Sequence, residues 1–161
     1  MRMRTRTLAG VAIALAQVGP AAPAQASVGD SARGSGHITE AEGWRTFAFT
    51  VREMPDGSAA GQLQVRGPFG DGDIVLHMGL DCLALSGNTA VATGTVRVIK
   101  LPAGAPFNPD GVYAIFAVED GCEGQTAVDR ITTLSPASGP CAGTLSAFHD
   151  VEAGNIQVTD S

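Results

Sequence analysis

Apolar residues recur at every second position over several short runs of this chain, which is the pattern of half-buried β-strands. The clearest run covers residues 45–54, where Phe47, Phe49 and Val51 share one face and mostly polar residues take the other. A Pro-Asp-Gly turn signal follows, and a further alternating run comes directly after it. This order predicts a β-hairpin over residues 45–66.

The same alternation predicts about eight strands, separated by short turns rich in Gly, Pro, Asn and Asp. The predicted strands cover residues 34–41, 45–54, 62–66, 73–85, 89–99, 112–118, 128–134 and 155–159. Consecutive strands with short connections indicate an all-β fold made of a single antiparallel meander. We expect this meander to close into a small barrel, because closure leaves no strand edge exposed. A two-sheet β-sandwich is the alternative.

The first 26 residues have the three-part pattern of an export signal peptide. Three arginines lie among the first six residues, an uncharged stretch spans residues 8–18, and an Ala-x-Ala site ends at Ala26. About 11 residues are too few for a membrane-spanning helix, which needs about 20. We therefore predict cleavage between Ala26 and Ser27, secretion to the extracellular space, and no membrane span. A flexible mature N-terminus over residues 27–33 and a single β-domain over residues 34–161 would follow.

Charge narrows the choice of partners. The chain carries 10 basic and 16 acidic residues, and removal of the three signal arginines would take its net charge from −6 to about −9. Positive charge that is sparse and scattered argues against nucleic acid and against an anionic membrane surface.

Aromatic residues are few, which argues against a carbohydrate-binding platform of several exposed rings. We interpret Trp44 as a half-buried residue at a strand end, with an exposed anchor for a partner as the alternative.

Three cysteines follow the signal: Cys82, Cys122 and Cys141. In an exported protein, one disulfide and one spare thiol are the expected arrangement. A Cys122–Cys141 bridge would close a loop of about 20 residues, which chain-entropy estimates value at about 3 kcal/mol. A Cys82–Cys141 bridge would join the C-terminal segment to a core strand. The residues alone favour the local pair slightly and leave the other open, and none of the three has the surroundings of a catalytic or zinc-binding cysteine.

Four carboxylates surround a Gly-rich turn and form a candidate Ca²⁺ site: Glu119, Asp120, Glu123 and Asp129. Ca²⁺ binds carboxylates and loop carbonyls, so this composition suits it. The simpler interpretation is that acidic residues populate a turn, with Asp129 paired to Arg130 or another arginine. Residues 71–73 (Asp-Gly-Asp) are a weaker candidate, because they lack the length and the bidentate Glu of an EF-hand loop. No other cofactor is expected.

Eight segments of the mature chain carry a resemblance to a known family: GHI with TFAF (36–38, 46–49), GQL (61–63), DCLALSGNTA (81–90), GTV (94–96), VEDGCEG (118–124), DRI (129–131) and EAGNIQV (152–158). In this order and spacing they resemble an uncharacterised family of small secreted β-proteins, found mainly in actinobacteria. The resemblance implies an all-β fold and secretion. It also implies a Cys82–Cys141 disulfide, because family members often carry cysteines near these two places only. The chain departs from the family at residues 120–124, where Asp-Gly-Cys-Glu-Gly replaces the usual Asp-Asn-Gly-Glu-Gly. The resemblance implies no activity, substrate or cofactor.

No catalytic motif is present. The three histidines, His37, His77 and His149, are far apart, no G-x-S-x-G elbow occurs, and phosphate loops and dinucleotide fingerprints are missing. We therefore expect a secreted, monomeric, non-enzymatic domain that binds a small apolar ligand inside or a protein partner outside.

Three functional hypotheses make different structural demands. A ligand binder would have an unfilled interior lined by residues such as Phe47, Leu76, Met78 and Phe116. A structural or cell-envelope accessory protein would have a packed core and no pocket. A small secreted hydrolase with a loop-built site, the third hypothesis, would need a cleft where histidine and carboxylates converge, for example around His149 and Asp150.

Overall fold

The alternating residues form antiparallel strands, which confirms the all-β fold class and the meander. The structure, a computed structural model, describes residues 29–41, 43–121 and 128–161 and contains eleven strands there. They are β1 (Ser31–Glu40), β2 (Gly43–Glu53), β3 (Ala59–Phe69), β4 (Gly72–Ser86), β5 (Thr89–Lys100), β6 (Tyr113–Glu119), β7 (Arg130–Thr132), β8 (Ser135–Gly139), β9 (Ala142–Gly143), β10 (Phe148–Asp150) and β11 (Ala153–Thr159). The predicted cleavage site at Ala26 and Ser27 lies outside the described residues, as do Cys122 and Glu123.

The strands follow one another across the sheet in chain order for most of its width. The order is β10-β7-β6-β5-β4-β3-β2-β1-β11, with β8 paired to β6 and to β9 beside this path. Long, tightly turned hairpins from β1 to β5 supply the regular part of the sheet. Of the shorter strands after β6, β7 and β11 coincide with the predicted strands over residues 128–134 and 155–159, whereas β8, β9 and β10 were not predicted because their alternation is too brief.

The prediction of a closed barrel is wrong. The sheet path ends at β10 and β11, and within the described residues no backbone ladder joins these two strands. They are consecutive in the chain, so Val151 and Glu152 carry it from one end of the sheet to the other. The sheet is therefore curled, with its two ends side by side but not paired as strands.

Side-chain carboxylates occupy the place that a strand partner would take in a barrel. Asp129 Oδ2 accepts a hydrogen bond from Ile156 N at 2.6 Å, and Asp120 Oδ2 accepts one from Val158 N at 3.0 Å. The Val151 amide donates to the Asp129 carbonyl at 2.8 Å. We call this junction between residues 151–159 and the two aspartates the seam.

The inner face of the curled sheet holds the core. In register across β2, β3 and β4, Phe49 lies opposite Leu63, which lies opposite Met78. Phe116 on β6 packs edge-on against Phe49, with ring centroids 5.7 Å apart. Burial of these side chains supplies the main driving force for folding.

The first strand begins at Ser31, three residues ahead of the predicted start at Gly34 and inside the segment predicted to be flexible. Ala32 explains this, because it is 1% exposed and belongs to the core. Residues 31–37 also pair with β11 along the whole length of that strand. Because β1 is paired with β2 on one side and with β11 on the other, residues 31–33 form a strand although their sequence does not predict one.

Candidate functional site

The curled sheet partly encloses a cavity of about 500 Å³ on its inner side, and this cavity is open to solvent at one end. The inner faces of β1 to β4 and the residues of β6, β7 and β10 line it. The lining residues are Ile38, Glu40, Ala41, Arg45, Phe47, Leu63, Val65, Phe69, Ile74, Leu76, Phe107, Phe116, Ile131, Thr132, Thr133, Leu134 and His149. This volume is within the range of about 300–1,000 Å³ that small-molecule pockets occupy.

Three of the four residues that the sequence suggested for an unfilled interior line this cavity: Phe47, Leu76 and Phe116. Met78 does not, because it is packed into the core and is 1% exposed. Most of the wall is aliphatic or aromatic, so a molecule within it would exchange water for apolar contacts.

Arg45 is the most unusual residue of the wall. It takes an inward position on β2, in phase with Phe47, and is 8% exposed. A buried guanidinium is costly unless it is paired. Arg45 Nε lies 3.4 Å from Glu40 Oε2, and Arg45 Nη1 donates a hydrogen bond to the Pro68 carbonyl. The wall thus contains a shielded ion pair that can present polar atoms to an occupant.

Glycine at position 67 makes room for this arginine. A Cβ atom there would lie 2.9 Å from Arg45 Cδ and 2.5 Å from the Trp44 carbonyl oxygen. Arg45 was not among the site residues predicted from the sequence. A signal was available, because a charged residue in the apolar phase of the strongest amphipathic strand is the exception to its pattern.

His149 is a further polar residue of the cavity wall, on the side formed by β7 and β10. It lies on β10 opposite Ile131, and its ring makes no hydrogen bond with any residue that the structure describes. Thr132 lies beside it, and the Thr132 hydroxyl oxygen accepts a hydrogen bond from Ala117 N at 2.9 Å. An imidazole with free nitrogens at an apolar wall can donate or accept one hydrogen bond from a ligand.

The loop between β5 and β6 contributes an aromatic residue to the opening. Phe107 is 55% exposed and packs edge-on against Phe69, with ring centroids 5.5 Å apart. Both rings also line the cavity. The base of this loop is held to β5, since the Asp110 carboxylate accepts a hydrogen bond from Val98 N and the Gly111 amide donates to the Val96 carbonyl.

The disulfide joins Cys82 and Cys141, with Cα atoms 5.6 Å apart. Of the two pairings left open by the residues, this is the one that the family resemblance implied, and it excludes Cys122 as the partner of Cys141. Cys82 follows a bulge in β4, between Leu80 and Cys82, which turns the intervening Asp81 toward β6. The bond therefore fastens the β8–β9 hairpin to the middle of the sheet, away from the cavity.

A hydrogen-bond chain runs beside the disulfide. Tyr113 Oη donates to Asp81 Oδ1 at 2.7 Å and is 2.9 Å from the Thr93 hydroxyl, which accepts from Cys141 N. Partial burial, together with this contact to a carboxylate, raises the pKa of Tyr113 above its ordinary value of 10.0. The phenol therefore stays neutral and keeps donating to Asp81 in moderately alkaline solution.

The acidic turn has structural contacts. Asp120 and Asp129 bind backbone amides of the seam, and Asp129 Oδ1 also accepts from Gly121 N at 2.8 Å. Glu119 is paired with Arg130, which lies over the Phe148 ring. In the described residues, no group of three or more His, Cys, Asp or Glu side chains is arranged to hold a metal ion. Glu123 lies outside them, so calcium at this turn stays a prediction.

The remaining chemical candidates are spread over the molecule. His37 contacts Glu152 at 3.4 Å, and His77 lies on the outer face beside Gln64. In the weaker calcium candidate, Asp73 is paired with Lys100 at 3.6 Å. The fold brings only His149 of the three histidines to the cavity.

Comparisons with protein-family models, curated proteins and solved structures find no match to this chain. The resemblance to a family of secreted β-proteins therefore stays a prediction. Within the part of the chain that the structure describes, there is no helix able to span a bilayer.

Proposed function

We propose that this protein is a secreted, non-enzymatic β-domain that binds a small, largely apolar molecule in the cavity of the curled sheet. The unfilled, mostly apolar volume of about 500 Å³ carries the proposal. Close packing is the norm for protein interiors, so a space of this size lined by apolar side chains is a feature that a purely structural domain does not need. The export pattern and the disulfide support a site of action outside the cytoplasm.

The wall indicates the chemistry of the ligand. Its apolar body would lie against Leu63, Leu76 and Phe116. A single polar end would face His149 and the Glu40–Arg45 pair, whose polar atoms can form hydrogen bonds with it. A ligand with several charges does not suit the cavity, because each would lose its hydration without a dedicated partner.

Binding is favoured over catalysis by how these polar groups are engaged. Glu40 is paired with Arg45, which lowers its availability as a general base. Among the described residues, no hydroxyl, thiol or carboxylate is hydrogen-bonded to His149, so no nucleophile is activated there. A hydrolase would need such a pair.

Native, non-reducing mass spectrometry of the protein from the culture supernatant of its own organism tests the proposal directly. We expect a chain beginning at Ser27 with additional mass that denaturation removes. Protein that carries no ligand, and that also fails to enhance the fluorescence of the neutral probe N-phenyl-1-naphthylamine, would overturn it. Recovery of the protein in the cell pellet only would contradict secretion.

Two matched variants locate the binding to the cavity. Val65→Phe adds a ring from a partly buried position of the wall, whereas Val98→Phe adds the same ring at a partly buried position outside it. We expect Val65→Phe to weaken probe binding at least about tenfold and Val98→Phe to leave it within about twofold, both with unchanged circular dichroism. Equal effects of the two substitutions would place the probe elsewhere.

A further inference from the structure

The outer face of β1 to β5 gathers most of the positive charge of the molecule. Seven basic residues lie in the described part of the chain, and five of them point outward from these strands. The five are Arg33, Arg52, Arg66, Arg97 and Lys100. We call this surface the outer basic face. Alternate residues of a strand lie on the same face of the sheet, so basic residues that are scattered along the sequence come together on one surface.

The arginines of this face are poor in acidic partners. Lys100 is paired with Asp73, and Arg33 Nε donates to Gln157 Oε1 at 2.8 Å. Among the described residues, no carboxylate lies within 4.0 Å of Arg52, Arg66 or Arg97. In a chain with a net charge of −6, three arginines on one side with no carboxylate of the described residues beside them mark a local excess of positive charge. Such a face attracts an anionic partner.

The spacing of the charges follows from the strand register. Arg66 on β3 and Arg97 on β5 are separated by two strand spacings and by two residues along the strands, which corresponds to about 12 Å between their Cα atoms. The Cα atoms of Arg33 and Arg52, on the neighbouring strands β1 and β2, are about 8 Å apart. About 17 Å separates Arg33 from Arg66. The partner must therefore carry negative charges distributed along its length.

A shallow depression of about 320 Å³ lies between these arginine pairs. Thr50, Gln62, Gln64 and His77 contribute polar groups to it, and Gln64 Nε2 is hydrogen-bonded to His77 Nε2. Amide, hydroxyl and imidazole groups both donate and accept hydrogen bonds, so they suit a partner rich in hydroxyl groups.

Trp44 borders the same face. It precedes Thr46 by two residues on the same side of β2, and Thr46 lies opposite Arg66. Its side chain is 53% exposed at the start of β2, which agrees with the half-buried strand-end residue that the sequence predicts and still leaves part of the ring accessible. A single exposed indole beside an arginine can stack on the apolar face of one sugar ring.

From this arrangement we infer that the outer basic face binds an acidic polysaccharide whose sugars carry carboxylates. Arginine forms bidentate, charge-assisted hydrogen bonds with carboxylates, and the polar depression would contact sugar hydroxyls between them. A slender chain touches this face alone, whereas a membrane or a nucleic-acid duplex would also approach the acidic remainder of the molecule. The scarcity of aromatic rings excludes a stacking platform for neutral sugars, but carboxylated ones can be held by arginine.

Binding of a short oligogalacturonate, measured by isothermal titration calorimetry, tests the inference. The test variant is Arg66→Gln/Arg97→Gln. The control is Ser138→Asp/Thr144→Asp, which changes the net charge equally at exposed positions of the β8–β9 hairpin. We expect the test variant to lose at least about tenfold in affinity and the control less than about threefold, with affinity falling as salt rises.

The competing occupants are outcomes of the same experiment. Failure of the unmodified protein to bind oligogalacturonate in low salt would overturn the inference, and so would equal losses in the two variants. Tighter binding of poly-glutamate, of single-stranded DNA or of vesicles rich in anionic lipid would assign the face to another partner. Val65→Phe should leave oligogalacturonate binding intact, so the cavity proposal and this one can fail independently.

Discussion

Asp129 offers the sharpest test of how the sheet is held at the seam. Its carboxylate accepts two backbone hydrogen bonds, from Ile156 N at 2.6 Å and from Gly121 N at 2.8 Å. Ile156 is 1% exposed, so its amide has no route to water if the carboxylate is lost. Asp129→Asn keeps the size of the side chain but replaces one acceptor oxygen by an NH₂ group, which would then face another N–H donor.

The expected magnitude follows from the number of amides left without an acceptor. A buried donor that loses its partner costs about 1–3 kcal/mol, and bonds to a charged acceptor lie at the upper end of that range. We therefore expect Asp129→Asn to lower the free energy of unfolding by about 2–3 kcal/mol. Asp129→Ala removes both acceptors and should cost about 3–5 kcal/mol.

Urea denaturation followed by tryptophan fluorescence and circular dichroism measures this change. Asp150→Asn is the matched control, because Asp150 is exposed and makes no side-chain hydrogen bond or ion pair with the described residues. The control should remain within about 0.5 kcal/mol of the unmodified protein. If Asp129→Asn is equally mild, the carboxylate does not hold the ends of the sheet together and our account of the seam is wrong.

Three further predictions concern the disulfide and the strands β5 and β6. Replacing both Cys82 and Cys141 by serine should lower the free energy of unfolding by about 4 kcal/mol, which is the chain-entropy value for the loop that this disulfide closes. Thermal denaturation of this variant should match that of the reduced protein and fall below that of the oxidised protein. Gly94→Ala should prevent folding into the native dimensions measured by gel filtration, because its Cβ atom would lie 1.9 Å from the Gly79 carbonyl oxygen. The raised pKa of Tyr113 stabilises the folded state below the ordinary tyrosine pKa, and this contribution is lost as the pH rises through the folded-state value. Denaturation between pH 9 and pH 12 should therefore show a smaller alkaline loss of stability for Tyr113→Phe, and an unchanged loss would refute the assignment.

The regular half of the fold could be predicted from sequence because its signal is local. In β2, Phe47, Phe49 and Val51 identify the inner face without any knowledge of the partner strands, and all three are buried. The same holds for β4, where alternate residues from Ile74 to Leu80 form the core. Burial of one face fixes the register, since a slip by one residue would expose the entire apolar set.

The ends of the sheet could not be predicted, because their structure depends on contacts between distant residues. Asp129 and Ile156 are 27 residues apart, and Asp120 and Val158 are 38 residues apart. An aspartate in a turn gives no sign that it will bind a strand edge far along the chain. A closed barrel was expected because pairing with another strand is the usual way to satisfy the backbone amides of a strand edge. At the seam, two amides of β11 instead donate to aspartate carboxylates.

The cavity and the outer basic face are made by alternate residues of the same strands. On β2, Arg45 and Phe47 point into the cavity, whereas Trp44 and Arg52 point out. On β3, Val65 lines the cavity and its neighbour Arg66 belongs to the outer basic face. Substitutions at neighbouring positions of one strand therefore affect opposite faces of the same sheet. If Val65→Phe and Arg66→Gln each impair only one kind of binding, the two sites are separate, and the sheet between them is the rigid support of both.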